Sequence, residues 1–168
     1  QYFWVEFTST GGTISGLTNK YTDMYHSFDG STWETTPSTL SMGSNTLVYF
    51  RNDSKLMSKY DTTYNDLTYL NIDFNKTAVV GGDLSSLTNM TSFCCYSLFS
   101  GNIYLIDASQ LILPWDSIGY FSCANMFQNC TKLTTGPKIL ATEMGESSCA
   151  HMFSGCERLT TAPELPAT

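Results

Sequence analysis

Charge is scarce in this chain. Only 14% of its 168 residues are charged, with 8 Lys and Arg against 15 Asp and Glu, for a formal net charge of −7. Nucleic-acid binders lay a basic stripe along the phosphates, so that class of partner is excluded. Histidine is scarcer still, at His26 and His151 alone. Cysteine is missing from the first half, since all six lie after residue 93. That removes the Cys…Trp…Cys framework of a true immunoglobulin domain. Long apolar runs are missing as well. The longest tempting piece, IYLIDASQLILPW, is broken by Asp107, Ser109, Gln110 and Pro114. A bilayer span needs roughly 20 consecutive apolar residues, and no segment supplies them.

What the chain does contain is core material. It is 42% hydrophobic and 14% aromatic, with ten Tyr and ten Phe, which places it among folded rather than disordered chains. Its polarity comes from Ser, Thr and Asn more than from charge. Such a Thr- and Tyr-rich chain favours strands and has the composition of secreted or surface β proteins. It opens on Gln1 rather than Met, which marks a processed or partial chain.

Two grammars divide the sequence. Residues 1–82 read as short strands punctuated by turns. YFWVEFTST runs into Gly11-Gly12, TLVYFRND ends in turn residues, and YLNIDFNKTAVVGG alternates before Gly81-Gly82. MYHSFDGSTWETT sets Asp29-Gly30 between two aromatic-bearing arms, a hairpin signal. Strands at this spacing predict a small antiparallel β-sandwich, immunoglobulin-like in outline.

Residues 83–168 repeat. CANMFQNCTKLTTGP, Cys123 to Pro137, returns without a gap as CAHMFSGCERLTTAP, Cys149 to Pro163. CYSLFSGNIYL is an earlier, looser copy. Cys95, Cys123 and Cys149 each precede a Phe by four residues: Phe99, Phe127 and Phe153. Leu98, Met126 and Met152 stand just before those rings, and Leu105, Leu133 and Leu159 follow six residues later. The rings are 28 and then 26 residues apart, a period that marks a leucine-rich-repeat type of solenoid. Within a unit, Cys, Met or Leu, Phe and the second cysteine (Cys130, Cys156) fall at i, i+3, i+4 and i+7, one face of a helix. Asn129 and Gly155 would stop that helix, and Leu133-Thr-Thr would form a short strand. The expected fold class is therefore α+β: the sandwich, then about three helix–turn–strand units whose stacked faces make one core.

These units resemble the BspA-like leucine-rich-repeat surface proteins of Bacteroidales and some of their phages. The third unit follows the family wording from Cys149 to Thr168. The second departs at Asn129, Gly136 and KILAT, and the first carries Asn102 in place of the second cysteine. HSFDGSTWE is similar to wording in the small β domain that often precedes such repeats. The resemblance implies a non-enzymatic molecule of the bacterial cell surface, extracellular, used for adhesion to a protein or glycan. A virion component, such as a fibre or capsid decoration, is the alternative. It implies no cofactor and no ligand identity. PELPAT stops where a further unit would begin, so further repeats, a partner or a second copy are expected on that end.

Chemistry was weighed against packing at each cysteine. Metal sites cluster their thiolates and histidines more tightly than seven residues apart. Seven residues of helix rise about 10.5 Å, too far for a disulfide inside one unit. The cysteines read as small buried apolar residues, with a bond between neighbouring units left open. His151 sits two residues from Cys149, where a helix would point the two apart, and no nucleophile elbow, phosphate loop or HExxH is present. An enzyme is not expected. Tyr104, Trp115 and Tyr120 belong to the longer first unit. They are candidate ligand-facing aromatics, or else cover the junction with the sandwich.

Overall fold

Fourteen short strands order the chain in the computed structural model, which describes residues 1–166. The first ten are β1 (Phe3–Phe7), β2 (Thr13–Ser15), β3 (Met24–Ser27), β4 (Glu34–Thr35), β5 (Thr39–Ser41), β6 (Leu47–Asn52), β7 (Lys59–Asp61), β8 (Asp66–Thr68), β9 (Asp73–Phe74) and β10 (Ala78–Asp83). After a long strandless stretch come β11 (Leu105–Leu113), β12 (Ser117–Ile118), β13 (Lys138–Ile139) and β14 (Glu143–Met144). The last two residues of the PELPAT match, Ala167 and Thr168, lie outside the described residues.

Alternation builds the first half. In β1, Phe3, Val5 and Phe7 are buried while Glu6 faces out; in β6, Val48, Phe50 and Asn52 turn inward. Seven strands join in the order β13-β11-β10-β1-β6-β3-β4. Pairing is antiparallel from β10 to β4 and parallel from β10 through β11 to β13. The hairpin expected around Asp29-Gly30 is β3–β4, with Tyr25 opposite Thr35. A separate antiparallel sheet, β5-β2-β9, shares its core with β1 where Phe7 meets Phe74 at 5.7 Å. Gly82 lets β10 pass close to the N-terminus. Its φ is +84°, and a β-carbon there would lie 1.9 Å from the Tyr2 carbonyl oxygen.

The α+β expectation does not hold. Among the described residues the single helical element is a 3-10 turn, Leu84–Ser86, and the repeat units contain no α-helix. Their eight-residue faces are runs of consecutive tight turns. In the first run Tyr96, Leu98, Ser100 and Asn102 each donate their N–H three residues back, to Phe93, Cys95, Ser97 and Phe99. The residues between them, Phe93, Cys95, Ser97, Phe99 and Gly101, donate instead to carbonyls of the second run, at Tyr120, Ser122, Ala124, Met126 and Gln128. The second run treats the third the same way, from Phe121 to Glu146 through Asn129 to Ser154. Every fourth residue holds a positive φ: Phe93, Ser97 and Gly101; Phe121, Asn125 and Asn129; Ser147, His151 and Gly155. Asn129 and Gly155 are thus turn residues inside each run, and no helix stops at them. The seven-residue cysteine spacing is close to two four-residue turns.

On the other side of each unit the chain lies parallel to its neighbour. β10 pairs with β11, β11 with β13, and isolated bridges link Asp107 to Thr135 and Thr135 to Thr161. No helix of the described residues is long and apolar enough to cross a membrane.

The hydrogen-bond pattern makes a direct prediction. The five amides that link the second run to the third have partners, whereas Ser147, Cys149, His151, Phe153 and Gly155 donate to none among the described residues. Amide exchange followed by NMR is expected to protect Cys123, Asn125 and Phe127 strongly and to leave Cys149, His151 and Phe153 fast. Equal protection in both runs would contradict this stacking.

Candidate functional site

Turn runs carry a rule about side chains. A residue held at positive φ is normally Gly, Asn or Asp, and a bulky one there is an outlier. Six of the nine such positions hold Ser, Asn or Gly. Two hold phenylalanine, Phe93 (φ 63°) and Phe121 (φ 50°), at equivalent places in the first and second runs. Backbone in that region costs on the order of 1–3 kcal/mol and concentrates at functional sites.

Phe93 is the hub of an aromatic shelf. Its ring packs against Tyr60 at 5.8 Å, Tyr96 at 5.9 Å, Tyr120 at 5.7 Å and Phe121 at 5.7 Å. Tyr96 extends the shelf to Tyr69 at 5.2 Å, and Tyr120 closes on Phe121 at 4.7 Å. Several of these rings face water: Tyr60 is 40% exposed, Tyr69 41% and Tyr120 47%. Tyr60, Phe93 and Tyr120, together with Leu56, Ser58, Lys59, Thr91 and Ser92, border a cleft of about 620 Å³. β7 and the loop before it form one wall, and the starts of the first and second turn runs form the other.

The cleft is held in shape by polar contacts. The Ser58 hydroxyl donates to the Phe93 carbonyl, fixing the hub to the loop before β7. The Tyr60 hydroxyl donates to Asn65 Oδ1 across the hairpin. The Lys59 ammonium lies 5.2 Å from the centre of the Tyr21 ring. The site therefore offers ring faces flanked by hydroxyls and one ammonium. Among the described residues no set of three His, Cys, Asp or Glu side chains is placed to hold a metal ion.

Of the candidate ligand-facing aromatics, only Tyr120 borders this cleft. Tyr104 is half-buried under the Lys132 ammonium, at 5.3 Å, and Trp115 packs on the core. Tyr60, Phe93, Tyr96 and Phe121 went unremarked in the sequence. For Phe93 and Phe121 the repeat itself is the signal: extending it two residues before Cys95 and Cys123 places both in register.

The repeat-core residues come together as one interior. Cys95, Leu98, Phe99, Leu105, Cys123, Met126, Phe127, Cys130, Leu133 and Met152 are buried. Cys149, Phe153, Cys156 and Leu159, at the open last unit, are half-buried. Phe99, Phe127 and Phe153 form a stack, with ring centres 5.4 and 5.5 Å apart. All six cysteines are free thiols. Cys130 and Cys156 each donate S–H to a carbonyl of the preceding unit, Phe99 and Phe127, at 3.0 Å. Burial pushes the Cys130 thiol up to about 12, so it is a hydrogen-bonded packing group rather than a nucleophile. His151 is exposed and borders, with Cys149, Met152 and Phe153, an apolar cleft at the open third unit.

Comparison with protein-family models, with curated proteins and with solved structures returns no match for this chain.

Proposed function

We propose that this chain is a non-enzymatic surface-recognition module that binds a glycan on the Phe93 shelf. The observation that carries the reading is the pair of phenylalanines held at positive φ. A scaffold that needed only packing would place Ser, Asn or Gly there, as six of its other seven turn positions do. The exposed, pre-positioned Tyr60 and Tyr120 faces suit the apolar face of a pyranose ring, and the hydroxyls of Thr91 and Ser92 with the Lys59 ammonium suit its hydroxyls. Rings already locked by neighbours lose little freedom on binding, which favours affinity.

In this reading the antiparallel sheets of residues 1–82 form a small sandwich, and residues 83–168 form a short leucine-rich-repeat-like solenoid of the BspA-like kind. The parallel pairing of β10, β11 and β13 and the 28- and 26-residue spacing support it. An extracellular, cell-surface setting follows from the family resemblance.

A glycan array followed by calorimetry tests the assignment. Tyr120→Ala and Tyr60→Ala are each expected to weaken binding about tenfold or more, the size of an aromatic anchor at a site centre, while leaving the circular dichroism melt unchanged. A silent array, or binding indifferent to both changes, would sink the glycan reading.

A further inference from the structure

The thiols of Cys95, Cys123 and Cys149 occupy the same place in three successive turn runs. Cys95 N–H donates to the Ser122 carbonyl at 2.7 Å, and Cys123 N–H to the Ser148 carbonyl at 2.8 Å, which sets each cysteine beside the next. The pairing places Cys123 between Cys95 on one side and Cys149 on the other. Neighbouring backbones paired this way stand about 4.8 Å apart, inside the roughly 4.4–6.8 Å between α-carbons that a disulfide spans. Access is graded along the ladder. Cys95 is 1% exposed and Cys123 is 0% exposed, while Cys149, at the open unit, is half-buried. The other half-buried thiol, Cys156, is spent on the Phe127 carbonyl.

We propose that Cys149 is the entry point of a thiol-modification site that accepts a small-molecule disulfide and passes it to Cys123, bonding the third turn run to the second. Contact with Cys123 and then burial hold the Cys149 thiol above the usual thiol range, so it loses its proton to solvent under alkaline conditions, and its sulfur then attacks one sulfur of oxidised glutathione. That S–S bond breaks, and the departing thiolate takes up a proton. The Cys123 sulfur then displaces the second glutathione from Cys149, and the Cys123 proton leaves with it. Two thiols are oxidised to one protein disulfide, and one glutathione disulfide is reduced to two thiols. Cys123 is suited to the second step. Its N–H bond to the Ser148 carbonyl, at 2.8 Å, already holds it beside Cys149. Cys95 shares the ladder but no path to solvent, so it stays reduced.

The folded protein is incubated with oxidised glutathione under alkaline conditions, alkylated, digested without reduction and mapped by mass spectrometry. The expected product is a single Cys123–Cys149 crosslink, with Cys95 recovered alkylated after unfolding. Amide exchange in the third run should then slow about tenfold or more, because the bond closes a long loop. Cys123→Ser should stop the reaction at a glutathione adduct on Cys149, Cys149→Ser should abolish both products, and Cys95→Ser should leave the crosslink intact. A Cys95–Cys123 or Cys149–Cys156 bond in the native protein, a stable Cys149 adduct without substitution, or no oxidation at all would each overturn the proposal.

Discussion

Phe127→Ala is expected to cost about 4 kcal/mol of folding stability, within the usual range for removing a buried phenylalanine. The ring is fully buried and is stacked on both faces, against Phe99 at 5.4 Å and 19° and against Phe153 at 5.5 Å and 6°. The stack continues through Phe99 to Phe3 at 6.1 Å and from Phe3 to Phe50 at 5.9 Å. Phe127 therefore lies on a ladder that joins the repeats to the first sheet. A cavity at its middle cannot be refilled, because every neighbour is already held on its other side. Phe153→Ala makes the control. Its outer face meets no further unit among the described residues, so about half the loss is expected. Urea melts followed by circular dichroism measure both. Equal losses at the two positions would mean that the stack is not the continuous element described here.

The same stack explains what the sequence made legible. The strands of the first half could be read because period-2 burial and turn residues agree, as in Phe3–Val5–Phe7 and at Asp29-Gly30. The register of the repeats could be read because Cys, Phe and Leu recur in step. The helix was misread for a specific reason. Over eight residues, apolar positions at i, i+3, i+4 and i+7 fit a period of 3.6 and a period of 4 almost equally well. The telling signal lay in the residues between: Ser97 and Gly101 stand four apart, Asn125 and Asn129 four apart, and Ser147 and Gly155 eight apart, at places where left-handed backbone favours them. A helix would have had no use for that spacing.

The candidate site was less legible because it draws on distant pieces. Tyr60 comes from the β7–β8 hairpin, Phe93 from the first turn run and Tyr120 from the second. Only the fold brings them to one cleft. The strain at Phe93 and Phe121 could be read only from their place in the four-residue rhythm, since phenylalanine as a residue type does not mark a positive φ.

Asn102→Ala is expected to cost about 3 kcal/mol, because it leaves two backbone N–H groups and one carbonyl in the interior without their partner. Asn102 is fully buried and stands where the later units carry Cys130 and Cys156. Like them, it donates to a carbonyl of the preceding layer, here Ile72 at 3.3 Å. Unlike them, its Oδ1 also accepts the N–H groups of Tyr104 at 3.2 Å and Leu105 at 3.1 Å. In the later units the corresponding leucines, Leu133 and Leu159, donate instead to the cysteine carbonyls, at 3.0 and 3.2 Å. The first unit has thus replaced a backbone turn with a side-chain one, and this opens directly into β11, the longest strand. Asn102→Cys separates the two roles. Its S–H can reach the Ile72 carbonyl, yet it has no strong acceptor for Tyr104 and Leu105. It should fall between wild type and Asn102→Ala in a urea melt, with faster amide exchange at Leu105. A cysteine variant as stable as wild type would show that the asparagine is only a substitute for the repeat's thiol and has no part in starting β11.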